Sequence, residues 1–267
     1  MEFETLSPYV GARIHGLDLR EPFSPARIEE LRAAFRKYRL LTIHQPDLPA
    51  EDQLRFAELF GKVEIRGKST VAKDAPLTQY VSNAREDGIL GTGEIEFHHD
   101  HLFYASPLKA IILYGVEIPA SGSATRFRDA ATVFERLPGE LRAKAEGVKV
   151  LHLYNYSGDY TAWQDPAKAP PDSPRAWQPL IWLNPDSGRR TLWLCPSSAV
   201  DFEGIAMAEG RALIEAMTAF ADSTDELTYT HRWRPGDLLM WDNRMLQHAR
   251  ADFDAKARRT LRRTPIA

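Results

Sequence analysis

The chain has a single cysteine, Cys195, so it can form neither an internal disulfide nor a cysteine-built metal site. Set in the apolar run Leu192-Trp193-Leu194-Cys195, that residue reads as core rather than as a nucleophile. Long apolar runs are missing too. No stretch approaches the roughly 20 residues that span a bilayer, and Met1-Glu2-Phe3-Glu4-Thr5 is acidic with no apolar signal core. The expected location is cytoplasmic, with no membrane partner. A formal charge of −3, from 34 Lys and Arg against 37 Asp and Glu, gives no reason to expect nucleic acid as partner. No internal repeat is visible. What is present is ordinary for a globular protein: 267 residues, 43% apolar and 27% charged, enough to bury a sizeable core. A single domain over 1–267 is the simplest division, a small molecule the expected partner, and homo-oligomer formation is left open.

Ser24 is a predicted N-cap with Pro25 at the first helical position, and Ile28, Leu31 and Phe35 give that helix an apolar face. A strand at Leu40 to His44 follows, then an amphipathic helix through Leu54, Phe56, Ala57 and Phe60, stopped by Gly61. From about residue 78 short β-branched and aromatic runs dominate. Gln79 to Ser82, Phe97 to Tyr104, Ala110 to Val116, Thr125 to Arg128 and Val148 to Tyr154 read as strands. Asp129 caps a predicted helix over Ala130 to Arg136, and Ile205, Leu213, Met217 and Phe220 stripe another over Gly204 to Ala221. Ser157 to Ala176 is rich in Pro and Asp and lacks periodicity, which suits a functional loop or lid, or a surface excursion. Two hairpins are predicted after it. One joins Pro179–Asn184 to Thr191–Cys195, the other Leu227–Trp233 to Leu238–Trp241 across Pro235-Gly236-Asp237. Many short strands beside few helices suggest an α+β fold, a two-sheet roll whose mouth holds a ligand.

The densest chemistry lies in Glu96-Phe97-His98-His99-Asp100-His101, with a further imidazole downstream in Trp241-Asp242-Asn243-Arg244-Met245-Leu246-Gln247-His248. In extended chain, residues two apart share a face, so His98 and Asp100 can grip one ion while His99 and His101 point the other way. Two imidazoles and a carboxylate on one side of a metal, with the other positions open, suit non-haem Fe(II) and its oxygen chemistry. The residues alone leave alternatives: a polar cross-strand network, or His99 and His101 as the inward pair.

Other segments recur in order with these: Gly11-Ala12-Arg13-Ile14-His15-Gly16-Leu17-Asp18-Leu19, Leu113-Tyr114-Gly115-Val116-Glu117-Ile118-Pro119, Gly122-Ser123-Ala124-Thr125-Arg126-Phe127 and Arg258-Arg259-Thr260-Leu261-Arg262-Arg263. The ordered set resembles the Fe(II)- and 2-oxoglutarate-dependent dioxygenases of the taurine/2,4-dichlorophenoxyacetate (TauD/TfdA) family. Phe97-His98-His99-Asp100 stands where that family has Trp-His-x-Asp, with Phe97 the one departure. The resemblance implies a double-stranded β-helix (jelly-roll, cupin-like) core with flanking helices. It also implies His98, Asp100 and His248 as iron ligands, Arg259 as anchor for the far carboxylate of 2-oxoglutarate and Thr125 as the hydroxyl assisting it. In taurine-type relatives an arginine at the position of Arg263 meets the substrate anion, and Arg66 lies where another polar substrate contact is often placed. His101 is expected at the pocket wall, and Tyr154, Tyr156 and Trp163 supply candidate apolar packing.

The implied cofactors are Fe(II), 2-oxoglutarate and O2, and the implied reaction is hydroxylation of a C–H bond in a small, anionic substrate with release of succinate and CO2. A carboxylate at position 100 favours hydroxylation over halogenation, since related halogenases have a small residue there. Desaturation, cyclisation or cleavage, a non-catalytic anion-binding roll, and a zinc hydrolase are the alternatives.

Overall fold

The computed structural model describes residues 1–66, 71–155, 158–160 and 162–267. Its largest sheet has eight strands, in spatial order β1 (Glu2–Thr5), β2 (Ala12–His15), β3 (Leu40–His44), β15 (Asp237–Asp242), β7 (Ala110–Glu117), β17 (Thr260–Ile266), β4 (Gln79–Ser82) and β5 (Gly88–Ile89). A four-stranded sheet runs β14 (Thr228–His231), β8 (Thr125–Asp129), β16 (Leu246–Arg250) and β6 (Ile95–His98). A smaller sheet orders β10 (Arg175–Pro179), β9 (Lys149–Leu153) and β13 (Ala199–Glu203), and a hairpin joins β11 (Ile181–Leu183) to β12 (Arg190–Leu192). The helices are α1 (Pro25–Tyr38), α2 (Ala50–Glu58), α3 (Ala130–Arg136), α4 (Gly139–Ala145) and α5 (Met207–Asp222).

The central strands of the large sheet are apolar on both faces because both are covered. Leu41, Ile43, Ile112, Tyr114, Leu238 and Met240 pack with Leu31 and Phe35 of α1 and Phe56 of α2. Their alternate neighbours Leu40, Ile111, Leu113, Leu239 and Trp241 pack instead with Phe127 and Leu246 of the four-stranded sheet. The period of two in strand side chains thus sorts one run of residues into a helix-facing core and a sheet-facing core. Between the two sheets lies the space that matters for function. A third core, built around α3, α5, β9 and β13, closes the far side.

Local signals account for the helices. The Ser24 hydroxyl accepts from the Arg27 amide at 3.3 Å at the start of α1, and the Asp129 carboxylate accepts from Ala131 and Thr132 at the start of α3, both at 3.0 Å. Two strand predictions are corrected. The second hairpin does not form: β14 pairs with β8, whereas β15 runs between β3 and β7. Gly236 (φ 86°) bonds to the Gly115 carbonyl and to the Gln45 amide, both at 2.8 Å, which commits the end of the turn to the other sheet. The strand predicted over Phe97 to Tyr104 stops at His98, and His101 beyond it has φ 66°. Ser157 to Ala176 is partly outside the described residues; its described part holds a short 3-10 turn at Pro166–Lys168 and enters β10 at Arg175. No helix among the described residues is long and apolar enough to cross a membrane.

Candidate metal centre

Pairing of β6 with β16 sets His98 opposite His248. The register then shifts, so that Arg250 pairs with Ile95, and Ile95 and His98 both face the space between the sheets. Asp100 follows in the turn, where its N–H donates to Asn243 Oδ1 at 2.8 Å and its carbonyl accepts from Asn243 Nδ2 at 3.0 Å. Asp100 Oδ1 consequently lies 3.2 Å from His98 Nε2 and 3.8 Å from His248 Nε2. One ligand atom from each of the three falls within 4.8 Å of the others, an arrangement no other His, Cys, Asp or Glu group reproduces among the described residues.

The protonation states suit metal binding. His98 Nδ1 contacts the Glu96 carbonyl at 2.7 Å; a carbonyl can only accept, so Nδ1 carries a proton and Nε2 is the ring atom left to face a metal. His248 lies against Trp241, ring centroids 4.7 Å apart, and burial followed by the neighbouring His98 holds its pKa well below the usual 6.5, leaving it neutral. Burial pushes the Asp100 carboxyl the other way. Arg263 outweighs it: its Nη2 donates to Asp100 Oδ2 at 2.7 Å and its charge holds the group ionised, well below the ordinary carboxylate range. Two imidazole nitrogens and one carboxylate oxygen are donors that fit Fe(II).

The other two histidines separate in role. His99 is 1% exposed and borders the open cavity, but its ring is held by two carbonyls, Nδ1 donating to that of Asn243 at 2.7 Å and Nε2 lying 3.1 Å from that of Leu192. His101, expected by strand alternation to point with His99, is turned by its left-handed backbone so that it lines the open cavity beside Asp100. Its buried Nδ1 has no hydrogen-bond partner among the described residues, and burial followed by Arg263 lowers its pKa to about 3.

Two spaces share His98, Asp100 and Arg263 in their walls. A small chamber of about 50 Å³ between the sheets is lined by these three and by His248, Thr125 and Arg259, among others. Arg259 is 2% exposed, and its Nε and Nη1 have no hydrogen-bond partner among the described residues. Burial, then the nearby Arg250, lowers its pKa to about 9, so it stays a cation at neutral pH. The Thr125 hydroxyl oxygen accepts from Trp233 Nε1 at 2.9 Å, leaving its own proton to donate into the chamber. A buried guanidinium without an anion is costly, and a chamber holding one opposite a metal-type triad fits a small dianion bridging the two.

The open cavity, about 370 Å³, is lined by His98, Asp100, His101, Arg263, Phe103, Tyr154 and Tyr160 among others. Of the residues expected near substrate, Arg263, His101 and Tyr154 are brought there. Arg66 is not among its lining residues: it donates to Glu64 at 2.9 Å and to the Ser106 carbonyl, and its guanidinium lies over Tyr104. Trp163 lines a separate groove with Glu215 and Asp222, and Tyr156 lies outside the described residues. Phe103 and Tyr160 were missed by sequence reasoning. Phe103 follows the histidine cluster within reach of the same turn, a signal that could have found it; Tyr160 sits in the aperiodic segment, where nothing local sets it apart.

A family model described as taurine catabolism dioxygenase TauD, TfdA family matches residues 2–264. The alpha-ketoglutarate-dependent 2,4-dichlorophenoxyacetate dioxygenase of Cupriavidus pinatubonensis is 30% identical over 279 residues, covering 97% of this chain and 94% of that protein. An alpha-ketoglutarate-dependent sulfate ester dioxygenase of Pseudomonas putida is 28% identical, covering 97% and 86%. Among solved structures, AAD-2 in complex with Mn(II) and N-oxalylglycine aligns with a TM-score of 0.85 at 27% identity, covering 100% of this chain and 97% of that one.

Proposed function

We propose a division of labour for this chain, which belongs to the taurine catabolism dioxygenase TauD, TfdA family and is accordingly an Fe(II)- and 2-oxoglutarate-dependent dioxygenase. His98, Asp100 and His248 hold the iron, Arg259 and Thr125 hold the far carboxylate of 2-oxoglutarate, and the cavity around Arg263 receives the substrate. The supporting observation is the pairing of the triad with an unpartnered, buried Arg259 in one chamber. Iron with 2-oxoglutarate and O2 supplies the oxidising power: the keto acid leaves as succinate and CO2, and a substrate C–H becomes C–OH.

The chain's own residues bind and orient. His98 is fixed in one tautomer by the Glu96 carbonyl, and Asp100 keeps one oxygen free because Arg263 takes the other. Arg263 has five N–H donors, of which one meets Asp100 Oδ2 and one Gln79 Oε1, so it can still meet a substrate anion. Phe103, Tyr154 and Tyr160 give an apolar wall for an organic body, and neutral His101 offers a hydrogen bond beside it. The fold that fits is a double-stranded β-helix in one domain. The favoured substrate is a small organic carboxylate, sulfonate or sulfate ester, the chemistry named for the relatives above. Substrate-stimulated succinate release across carboxylates, sulfonates, sulfate esters and aryloxy acids tests this reading; stimulation only by cationic or neutral compounds would refute the anionic class.

A further inference from the structure

We propose that Asn243 is the positioning residue that fixes Asp100 within the metal centre, a proposal that rests on reading His98, Asp100 and His248 as the iron ligands. The three stand on unequal supports. His98 and His248 lie on paired strands, whose ladder sets their backbones. Asp100 lies in a turn beyond the end of β6, immediately before the left-handed His101, so no strand pairing places it.

Asn243 supplies what the ladder does not. It is 0% exposed, in the turn between β15 and β16. Its Oδ1 accepts the Asp100 N–H at 2.8 Å, and its Nδ2 donates to the Asp100 carbonyl at 3.0 Å and the Leu108 carbonyl at 2.9 Å. One carboxamide thereby satisfies both backbone polar groups of Asp100, as a neighbouring strand would. The main chain of Asn243 is itself held: its N–H donates to the Lys109 carbonyl at 2.9 Å, and its carbonyl accepts from His99 Nδ1 at 2.7 Å. His99 is thus a brace, spent on the residue that places its neighbour.

The same turn leads into β16, which presents His248 opposite His98. Asn243 therefore joins Asp100 to the strand bearing another proposed ligand, and the spacing of Asp100 from the two histidines depends on that carboxamide. Arg263 governs the Asp100 side chain and Asn243 its backbone. Asn243 itself is not among the residues lining either space at the triad, so it acts through Asp100 rather than on reactants.

The test is Co(II) binding to the metal-free enzyme, read by the visible ligand-field bands beside a thermal melt. Asn243→Ala should bind Co(II) about tenfold to a hundredfold more weakly, the loss typical when a group orienting a ligand is removed, with altered bands. Asn243→Asp keeps the size and the acceptor but has no N–H for the Asp100 and Leu108 carbonyls; it should show the same loss, and it keeps the test alive should the alanine variant fold poorly. Asn184→Ala is the control. It removes another buried carboxamide, one that accepts from Asp186 N at 2.8 Å and Ser187 N at 3.2 Å and donates to Met245 Sδ at 2.8 Å, touching the turn of Asn243 but not Asp100, and should lower the melting temperature while keeping parental affinity and bands. Parental Co(II) binding in a folded Asn243 variant, or an equal loss in Asn184→Ala, overturns the positioning role. The ligand reading is scored separately. Parental binding in His98→Ala and His248→Ala defeats that reading, whereas weak binding there with parental binding in the Asn243 variants defeats only this proposal.

Discussion

Replacing Arg259 with methionine should move two measurements in opposite directions. Arg259 is 2% exposed, with Nε and Nη1 unpartnered. At 1.36 kcal/mol per pH unit, its fall from 12.5 to about 9 puts the cost of keeping it charged in the fold at about 5 kcal/mol, an upper bound for a site that can relax. Methionine preserves much of the apolar stem and removes the charge, while losing the contact with Phe253, 5.6 Å from the guanidinium carbon. Metal-free Arg259→Met should accordingly be at least as stable as the parent in urea. Its 2-oxoglutarate affinity should collapse. Two charge-assisted bonds to a carboxylate are worth about 2–4 kcal/mol here, or roughly thirtyfold to a thousandfold in the dissociation constant. Anaerobic titration of the Fe(II)-loaded protein, following the visible band of the 2-oxoglutarate complex, gives the second number. Unchanged affinity sends the anchor role elsewhere, and a variant several kcal/mol less stable without metal means that the protein itself satisfies Arg259.

Iron content should fall sharply in His98→Ala, Asp100→Ala and His248→Ala, whereas His99→Ala, whose ring meets two carbonyls rather than the triad, should keep most of its iron while losing stability; normal iron in His248→Ala rejects the assignment. Arg263→Ala should weaken substrate-stimulated succinate release while the 2-oxoglutarate band survives, and parental turnover with the best substrate would remove Arg263 from substrate binding. Acid should destabilise the fold through His99 and His152, which burial holds at pKa values of about 4 and about 3, below the 6.5 of an accessible histidine. Between those values the unfolded chain binds the extra protons, so stability is fully present above pH about 6.5 and falls by about 3 kcal/mol per pH unit for the pair as pH drops. Urea midpoints from pH 7 to pH 5 measure it, and a flat profile contradicts the neutral state of the two rings.

What could be read from the chain is what local chemistry encodes. Ser24 and Asp129 announce α1 and α3 because the hydroxyl and carboxylate that cap them are in the sequence, while α4 follows Pro138, which offers no side-chain cap, and was not found. Period-two patterning located β7 and β8 but could not say which strands pair, so the turn at Gly236 looked like a hairpin when it joins two sheets. The same limit applies at the site. Alternation gave His98 and Asp100 a common side, yet Asp100 owes its place to Asn243, a contact across 143 residues of sequence. His101 faces the cavity because one residue adopts φ 66°, which strand geometry does not anticipate. Arg66 and Trp163 were drawn toward substrate by position in the chain; Arg66 is engaged by Glu64 and the Ser106 carbonyl, and Trp163 lines a different groove.

The buried arginines show why geometry was needed to rank them. Five are at most 7% exposed, Arg128, Arg250, Arg259, Arg262 and Arg263, and three of them share the single run Arg258 to Arg263. Each charge needs an answer in the fold. Arg128 meets Asp222 at 2.6 Å and Gln247 at 2.9 Å. Arg250 donates to the carbonyls of Leu90, Thr92 and Gly93, which ties down the segment forming one wall of the chamber. Arg262 turns to the helix-facing side, to Gln53 at 2.8 Å and the Leu48 carbonyl at 2.6 Å, and Arg263 to the cavity side, to Asp100. Among these five, only Arg259 has fully buried guanidinium nitrogens that meet no partner among the described residues. Burial without an answer is tolerable when a ligand's anion supplies it, and that distinction makes Arg259 the proposed anchor although Arg262 and Arg263 are equally arginine and nearly as buried.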